Sequence, residues 1–318
     1  MRERAYEDCR DWCVSRGLRG EVLDTWPVSD VDPLLRDYGQ HLFRGGAAVG
    51  EFKRVLFAIQ DRRRELRRGV LSDAWGAVSK WEQKEPSDPH VPLPRVAHSA
   101  GLSLCVLWSR ESPFAAVVWL EMLRALVLGW VALARPAEKL RLLRRHLLLP
   151  SDLCDPAPVA FVVFALPKGR WSRRAPKTEH VRIDDADAIA FLERTVGLWP
   201  PWTPLSPYLS VGDRYRTVWD ALFGPDGSGL GFPCRDGDGL VPASVRAGAG
   251  CELYARTADP TRFSWLARHL NLETARRYLQ ESAAALAMAR VAPHQRERIR
   301  ALADAAPFLL ASVSFSAR

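Results

Sequence analysis

The chain has 318 residues, 47% of them hydrophobic and 26% charged, a balance that excludes disordered, collagen-like and disulfide-scaffold classes. Lysine and arginine number 45 against 37 acidic residues, a net charge of +8 with a pI near 9.4. That favours polyanionic partners, chiefly nucleic acid, without fixing a fold. Six cysteines stand at positions 9, 13, 105, 154, 234 and 251 with no C-x-x-C pair. They exclude a zinc ribbon and read as small buried thiols.

The opening MRERAYEDCRDWC is charged and has no signal-peptide pattern. Residues 1–25 are weakly patterned and read as a weakly structured leader, or as the end of something longer upstream. Residues 26–88 read as a helical unit. VDPLLRDYGQHLF puts Leu34, Leu35, Tyr38, Leu42 and Phe43 on one stripe. Asp32-Pro33 makes an N-cap and first-turn pair, and Gly45-Gly46 ends the helix. A second helix, near 49–68, carries Phe52, Val55, Leu56 and Ile59. A third, near 71–84, turns Ala74, Trp75, Val78 and Trp81 inward. EPSDPHVPLPR, residues 85–95, has four prolines and marks a boundary, with 89–97 as linker.

Residues 98–318 form the second, larger domain. Two apolar helices are expected at 98–109 and 113–134. The run FAAVVWLEMLRALVLGWVALA could span a bilayer by length. Glu121 and Arg124 interrupt it, so a buried core helix is the better reading. LRLLRRHLLL reads as further helix. VAFVVFAL at 159–166 and VRID at 181–184 read as strands of a hairpin around the polar PKGRWSRRAPKTEH. Residues 186–197 and 215–223 are helical. WPPWTPLSP is loop, as is the Gly- and Asp-rich 224–239, which lacks both the phosphate-loop pattern and an EF-hand. From Pro242 on the chain is helical.

Four stretches stand in a meaningful order: Arg135-Pro136-Ala137-Glu138 after a long apolar helix; a basic hairpin with Lys168 and Lys177; Ala243-Ser244-Val245-Arg246 opening a helix; and LARHLNLETARRYLQ. The last puts His269 nine residues before Tyr278 and 23 after Arg246. Singly, each residue has an ordinary reading: a helix-end arginine, solvated hairpin lysines, a satisfied histidine, a half-buried tyrosine. Together they resemble the tyrosine recombinase (phage-integrase-like) family over roughly residues 30–290. That family's pattern is R-x-x-E, a hairpin Lys, H-x-x-R, then G-H and a Tyr.

The resemblance implies a mainly α fold with a small β-sheet. It implies a helical, SAM-like core-binding domain followed by a mixed α+β catalytic domain. It further implies site-specific DNA cleavage and rejoining through a 3′-phosphotyrosine, as in recombination and integration by mobile elements. No metal or other cofactor is required. Tyr278 would attack phosphorus. Arg135 and Arg246 would clamp the phosphate, because guanidiniums stay charged and match paired oxygens. His269 would bond a non-bridging oxygen, and Lys168, or alternatively Lys177, would protonate the leaving 5′ oxygen.

The partners implied are double-stranded DNA and three further copies, a homo-tetramer on paired sites, with no membrane. The setting implied is intracellular: the nucleus in a eukaryote, otherwise the cytoplasm or nucleoid. One departure matters. Ala243 stands where H-x-x-R has histidine, which leaves open a DNA-binding protein of this fold that has lost catalysis. A type IB topoisomerase-like enzyme is a third reading.

Two basic runs are candidate DNA contacts: Lys53, Arg54, Arg62, Arg63, Arg64, Arg67 and Arg68 in the first domain, and Arg170, Arg173, Arg174 and Lys177 beside Lys168 in the hairpin. Such contacts are salt-sensitive and carry little base information. The amphipathic tail RERIRALADAAPFLL either docks on a neighbouring subunit or packs within its own chain.

Overall fold

Apolar side chains at helical spacing set the first elements. The computed structural model describes residues 2–67, 69–84, 91–153, 159–165, 178–225, 228–234, 239–268 and 281–313. The chain divides into two compact units, Met1–Asp88 and Pro89–Arg318. It is mainly helical, with one small three-stranded antiparallel sheet.

The first unit contains α1 (Arg2–Ser15), α2 (Val22–Thr25), α3 (Val28–Arg44), α4 (Val49–Arg62) and α5 (Ser72–Lys84). The expected leader is instead a helix built into the core. Tyr6, Cys9 and Cys13 fall on one face of α1, and all three are buried with Leu35, Phe52, Leu56 and Ile59. Three apolar positions among many charges are enough, because α4 supplies the partner surface.

Asp32 also differs from expectation. Pro27, not Asp32, is the N-cap of α3. The buried Asp32 carboxylate accepts from the backbone N–H groups of Asp73 and Ala74, each at 2.9 Å, and so caps α5 across the unit.

The second unit begins earlier than the proline linker suggested. Val91 and Leu93 are buried, and Leu93 N–H donates to Ser244 O at 2.9 Å. A Cβ on Gly248 would lie 2.0 Å from Leu93 O, so only glycine admits this crossing. There follow α6 (Arg95–Trp108) and α7 (Pro113–Val131). Ser112 caps α7 by accepting from Ala115 N–H.

By length and composition α7 could cross a membrane. In the structure Val118 and every residue of α7 from Glu121 to Gly129 are buried in the core of the second unit. Its two charged residues are put to use. Glu121 accepts from the N–H groups of Tyr208 and Leu209, and Arg124 donates to Leu205 O. Loop 199–209 is thereby pinned to α7.

After the short α8 (Pro136–Lys139) the chain departs from the expected helix. LRLLRRHLLL instead forms a turn, a 3-10 turn at Arg144–His146 and the strand β1 (Leu147–Leu148). Arg144 explains the override. It is buried and donates to Val196 O, Leu147 O and Gly197 O and to the Asp152 carboxylate, at 2.8–3.0 Å. Tertiary bonds of this kind outweigh local helix propensity.

A short α9 (Pro150–Leu153) precedes β2 (Ala160–Phe164) and β3 (Glu179–Ile183). All pairing is antiparallel in the order β1-β2-β3, with Leu147 opposite Val162 and Val162 opposite Val181. Ala160, Val162 and Phe164 point into the core.

The remaining helices are α10 (Ala186–Val196), α11 (Arg214–Phe223), α12 (Ser244–Thr257), α13 (Pro260–Leu266), α14 (Glu281–Ala289) and α15 (Pro293–Ala311). The amphipathic tail, α15, packs within its own unit. It lies along α6, where Ser103 Oγ donates to Leu302 O at 2.6 Å.

Candidate functional site

The site is built where α7 ends. Leu133 takes a left-handed φ of 44°, which breaks the helix and turns the chain into Arg135-Pro136. A helix leaves its last carbonyls without internal partners and carries negative potential there. Two arginines answer both needs. Arg246, from the first turn of α12, donates through Nη1 to Leu133 O at 2.6 Å. Arg268 donates through Nη1 to Ala132 O at 3.1 Å. Arg246 also donates through Nη2 to Ala267 O. It thus ties the segment entering Arg135 to the segment entering His269.

Glu138 is the second organiser. Its Oε2 accepts from Arg135 N–H at 2.9 Å, closing the first turn of α8. The same carboxylate pairs with the Arg135 guanidinium and, at 2.6 Å, with Arg268. Burial works to raise the Glu138 pKa, but Arg268 and Arg135 outweigh it and hold the carboxyl below its ordinary range. Arg268 reaches further. Its Nε lies 2.8 Å from the Glu179 carboxylate on β3, and its guanidinium lies 4.1 Å from the Phe164 ring centre on β2. Burial lowers the Arg268 pKa, against the pull of Glu138, yet a guanidinium stays charged.

Of the sequence-derived candidates, Arg135 is half-buried and lines a cavity of about 590 Å³. Arg246 is 2% exposed, does not line that cavity, and ties two backbone segments together. Ala243 is the N-cap residue of α12 and makes no side-chain cap. Tyr278, His269, Lys168, Lys177, Arg170, Arg173, Arg174 and Arg68 lie outside the described residues.

In the first unit the basic run is largely engaged. Lys53 pairs with Glu82 and Arg62 with Glu3. Arg67 bonds Asp61 at 2.9 Å. Arg63 is a structural pin, donating to Leu23 O and Trp26 O and pairing with Glu65. Arg54 is half-buried and Arg64 exposed. Exposed pairs contribute only about 0–1 kcal/mol, so Arg62, Arg67 and Lys53 can exchange a carboxylate for a phosphate; Arg63 cannot without loosening its unit.

Sequence reasoning missed Arg268 and Glu179 as members of this cluster, and the buried Lys139 close by in sequence. Arg268 had one available signal, its place directly before His269. Glu179 had none. Lys139 is 1% exposed, and its Nζ has no hydrogen-bond partner among the described residues. The amine lies 5.1 Å from the Tyr215 ring centre, and burial pushes its pKa down to about 7. Burial also raises the pKa of Tyr215. No protein-family model and no curated protein matches this chain.

Proposed function

We propose that the chain is a tyrosine recombinase-like protein that cuts and rejoins DNA through a 3′-phosphotyrosine. In this reading Met1–Asp88 is the SAM-like core-binding domain and Pro89–Arg318 the catalytic domain. The Tyr278 oxygen attacks phosphorus, its proton passing to solvent, and displaces the 5′ oxygen, which takes a proton from Lys168 or Lys177. Rejoining reverses each transfer. Arg135 and His269 hold the phosphate oxygens, and Arg246 positions the segments that carry them. The DNA is double-stranded and the working form is a homo-tetramer on paired sites.

One observation carries this reading: stretches more than a hundred residues apart converge on one point. Arg246 bonds the backbone at Leu133 and Ala267. Arg268 joins the R-x-x-E glutamate to both strands that flank the basic hairpin segment. A second observation agrees. Arg268 has a φ of 57°, a conformation that favours glycine. It occupies the place before His269 where the resembled pattern has glycine.

A DNA-binding protein without catalysis is the second reading. Ala243 favours it, because a methyl group cannot take a proton from tyrosine. The burial of Arg246 favours it too.

The test uses nicked duplexes tiled across the DNA that flanks the gene. A covalent adduct that resists denaturation, and is lost in Tyr278→Phe, is the expected outcome. DNA binding with no wild-type adduct would select the second reading. Relaxation of supercoiled plasmid without paired sites would select a topoisomerase-like activity. Absence of DNA binding would overturn all three.

A further inference from the structure

The cavity beside Arg135 holds cations that the proposed chemistry does not use. It is walled by Arg135, Arg141, Arg145 and His146, with Leu143 and Phe164 among its apolar lining. Arg135 is balanced by Glu138, which Arg268 shares. Arg141 and Arg145 are exposed, and neither forms an ion pair among the described residues. Among the described residues the cavity therefore carries an excess of permanent positive charge.

Its wall is rigid. Arg144 N–H donates to Thr203 O and Arg145 N–H to Pro201 O, both at 2.8 Å. Leu205 N–H donates to Leu142 O at 2.9 Å. Loop 199–209 is in turn held by Glu121 and Arg124 of α7. The backbone between Leu142 and Arg145 is thus fixed from one side, while Arg141, Arg145 and His146 face the cavity.

The orientation of His146 is also fixed. Leu143 N–H donates to its Nδ1 at 3.0 Å, so Nδ1 is an acceptor and the neutral ring carries its proton on Nε2. Burial, then the neighbouring Arg145, lowers the His146 pKa, which favours that neutral ring. A cavity with two guanidiniums that pair with no acid among the described residues, and with a fixed N–H donor, suits an oxyanion. Its apolar floor suits a sugar face.

We infer that this cavity grips a DNA backbone phosphate next to the one to be cut, with Arg141, Arg145 and the Nε2–H of His146 as its donors. The inference rests on the DNA-cleavage reading above. It adds a positioning contact at a neighbouring phosphate, which would fix where the strand enters the cluster around Arg135.

The test measures binding of a short duplex of arbitrary sequence by fluorescence anisotropy, between about 50 and 200 mM salt. Arg141→Ala with Arg145→Ala should make the slope of log affinity against log salt shallower by about 0.9 for each phosphate no longer neutralised. The thermal transition should stay in place, since neither side chain pairs with an acid among the described residues. His146→Phe should weaken binding several-fold, whereas His146→Gln, which keeps an N–H donor, should retain most of it.

Wild-type protein without salt-dependent DNA binding would remove the functional reading and this inference together. Wild-type binding with an unchanged slope in the double variant would remove the inference alone. An equal loss in an Arg216→Ala, Arg300→Ala control would reduce the effect to general charge and overturn it as well.

Discussion

The two units use arginine in opposite ways. In Met1–Asp88 most of the basic run lies at the surface in pairs such as Arg62–Glu3 and Arg67–Asp61, with both partners well exposed. In Pro89–Arg318 the arginines that matter most for the fold are buried. Arg144, Arg246 and Arg268 each reach backbone carbonyls that no helix or strand satisfies. Water screens the first kind, so it contributes little to stability and remains able to meet a phosphate. The second kind is not replaceable by solvent. Removing one partner there leaves a buried charge or carbonyl uncompensated.

Four measurements separate the two behaviours. Arg268→Met should have the largest effect, because it takes the guanidinium from Glu179 and leaves Glu138 to Arg135 alone. A loss of about 3–5 kcal/mol is expected in the urea transition of the second unit. A loss below about 1 kcal/mol would show that the buried cluster behaves like the surface pairs. Acid should act in the same direction. The Glu138 pKa is depressed in the fold, so its contribution is present above the unfolded carboxylate value and disappears as pH falls through the folded one.

Lys139→Met should be next, and stabilising. The unfolded amine titrates at about 10.4 and the folded one at about 7. Between those values the unfolded chain holds the proton that the folded chain lacks, so wild-type stability rises with pH across that window. The substitution should add on the order of 2–4 kcal/mol at pH 7 and progressively less toward pH 10. A pH-independent gain would show that the amine is not the source.

Arg246→Met should cost about 1–3 kcal/mol, since the Leu133 and Ala267 carbonyls lose their donor. Adduct formation, if present, should fall by more than stability alone explains. Arg62→Ala and Lys53→Ala should be smallest, each below about 1 kcal/mol. A salt slope for DNA binding that moves while the unfolding transition does not would place these residues on the DNA.

Much of the cluster's membership was legible in the chain. Arg135, Glu138 and Arg246 stand in recognisable spacing, and the apolar stripes of α3, α4 and α5 follow from period alone. The role of Arg246 was not legible. A guanidinium at the start of a helix can face solvent, a ligand or a carbonyl, and only the end of α7 beside it decides. The role of Arg268 is not legible in the chain, because its partners, Ala132, Glu138, Phe164 and Glu179, are remote in sequence. α1 resembles a leader in sequence because three buried positions among charges form a weak pattern until a second helix covers them.

By itself the sequence determined the mainly helical class and the antiparallel hairpin pairing of β2 with β3. These depend on local periodicity. The tertiary structure decided what the polar residues inside each unit do. Asp32 caps a different helix from the one it lies in, LRLLRRHLLL gives up helix for a turn and a strand, and Lys139 is buried with no hydrogen-bond partner among the described residues. In each case the deciding energy is a carbonyl, an N–H or a desolvated charge brought close by folding, and no linear spacing encodes that proximity.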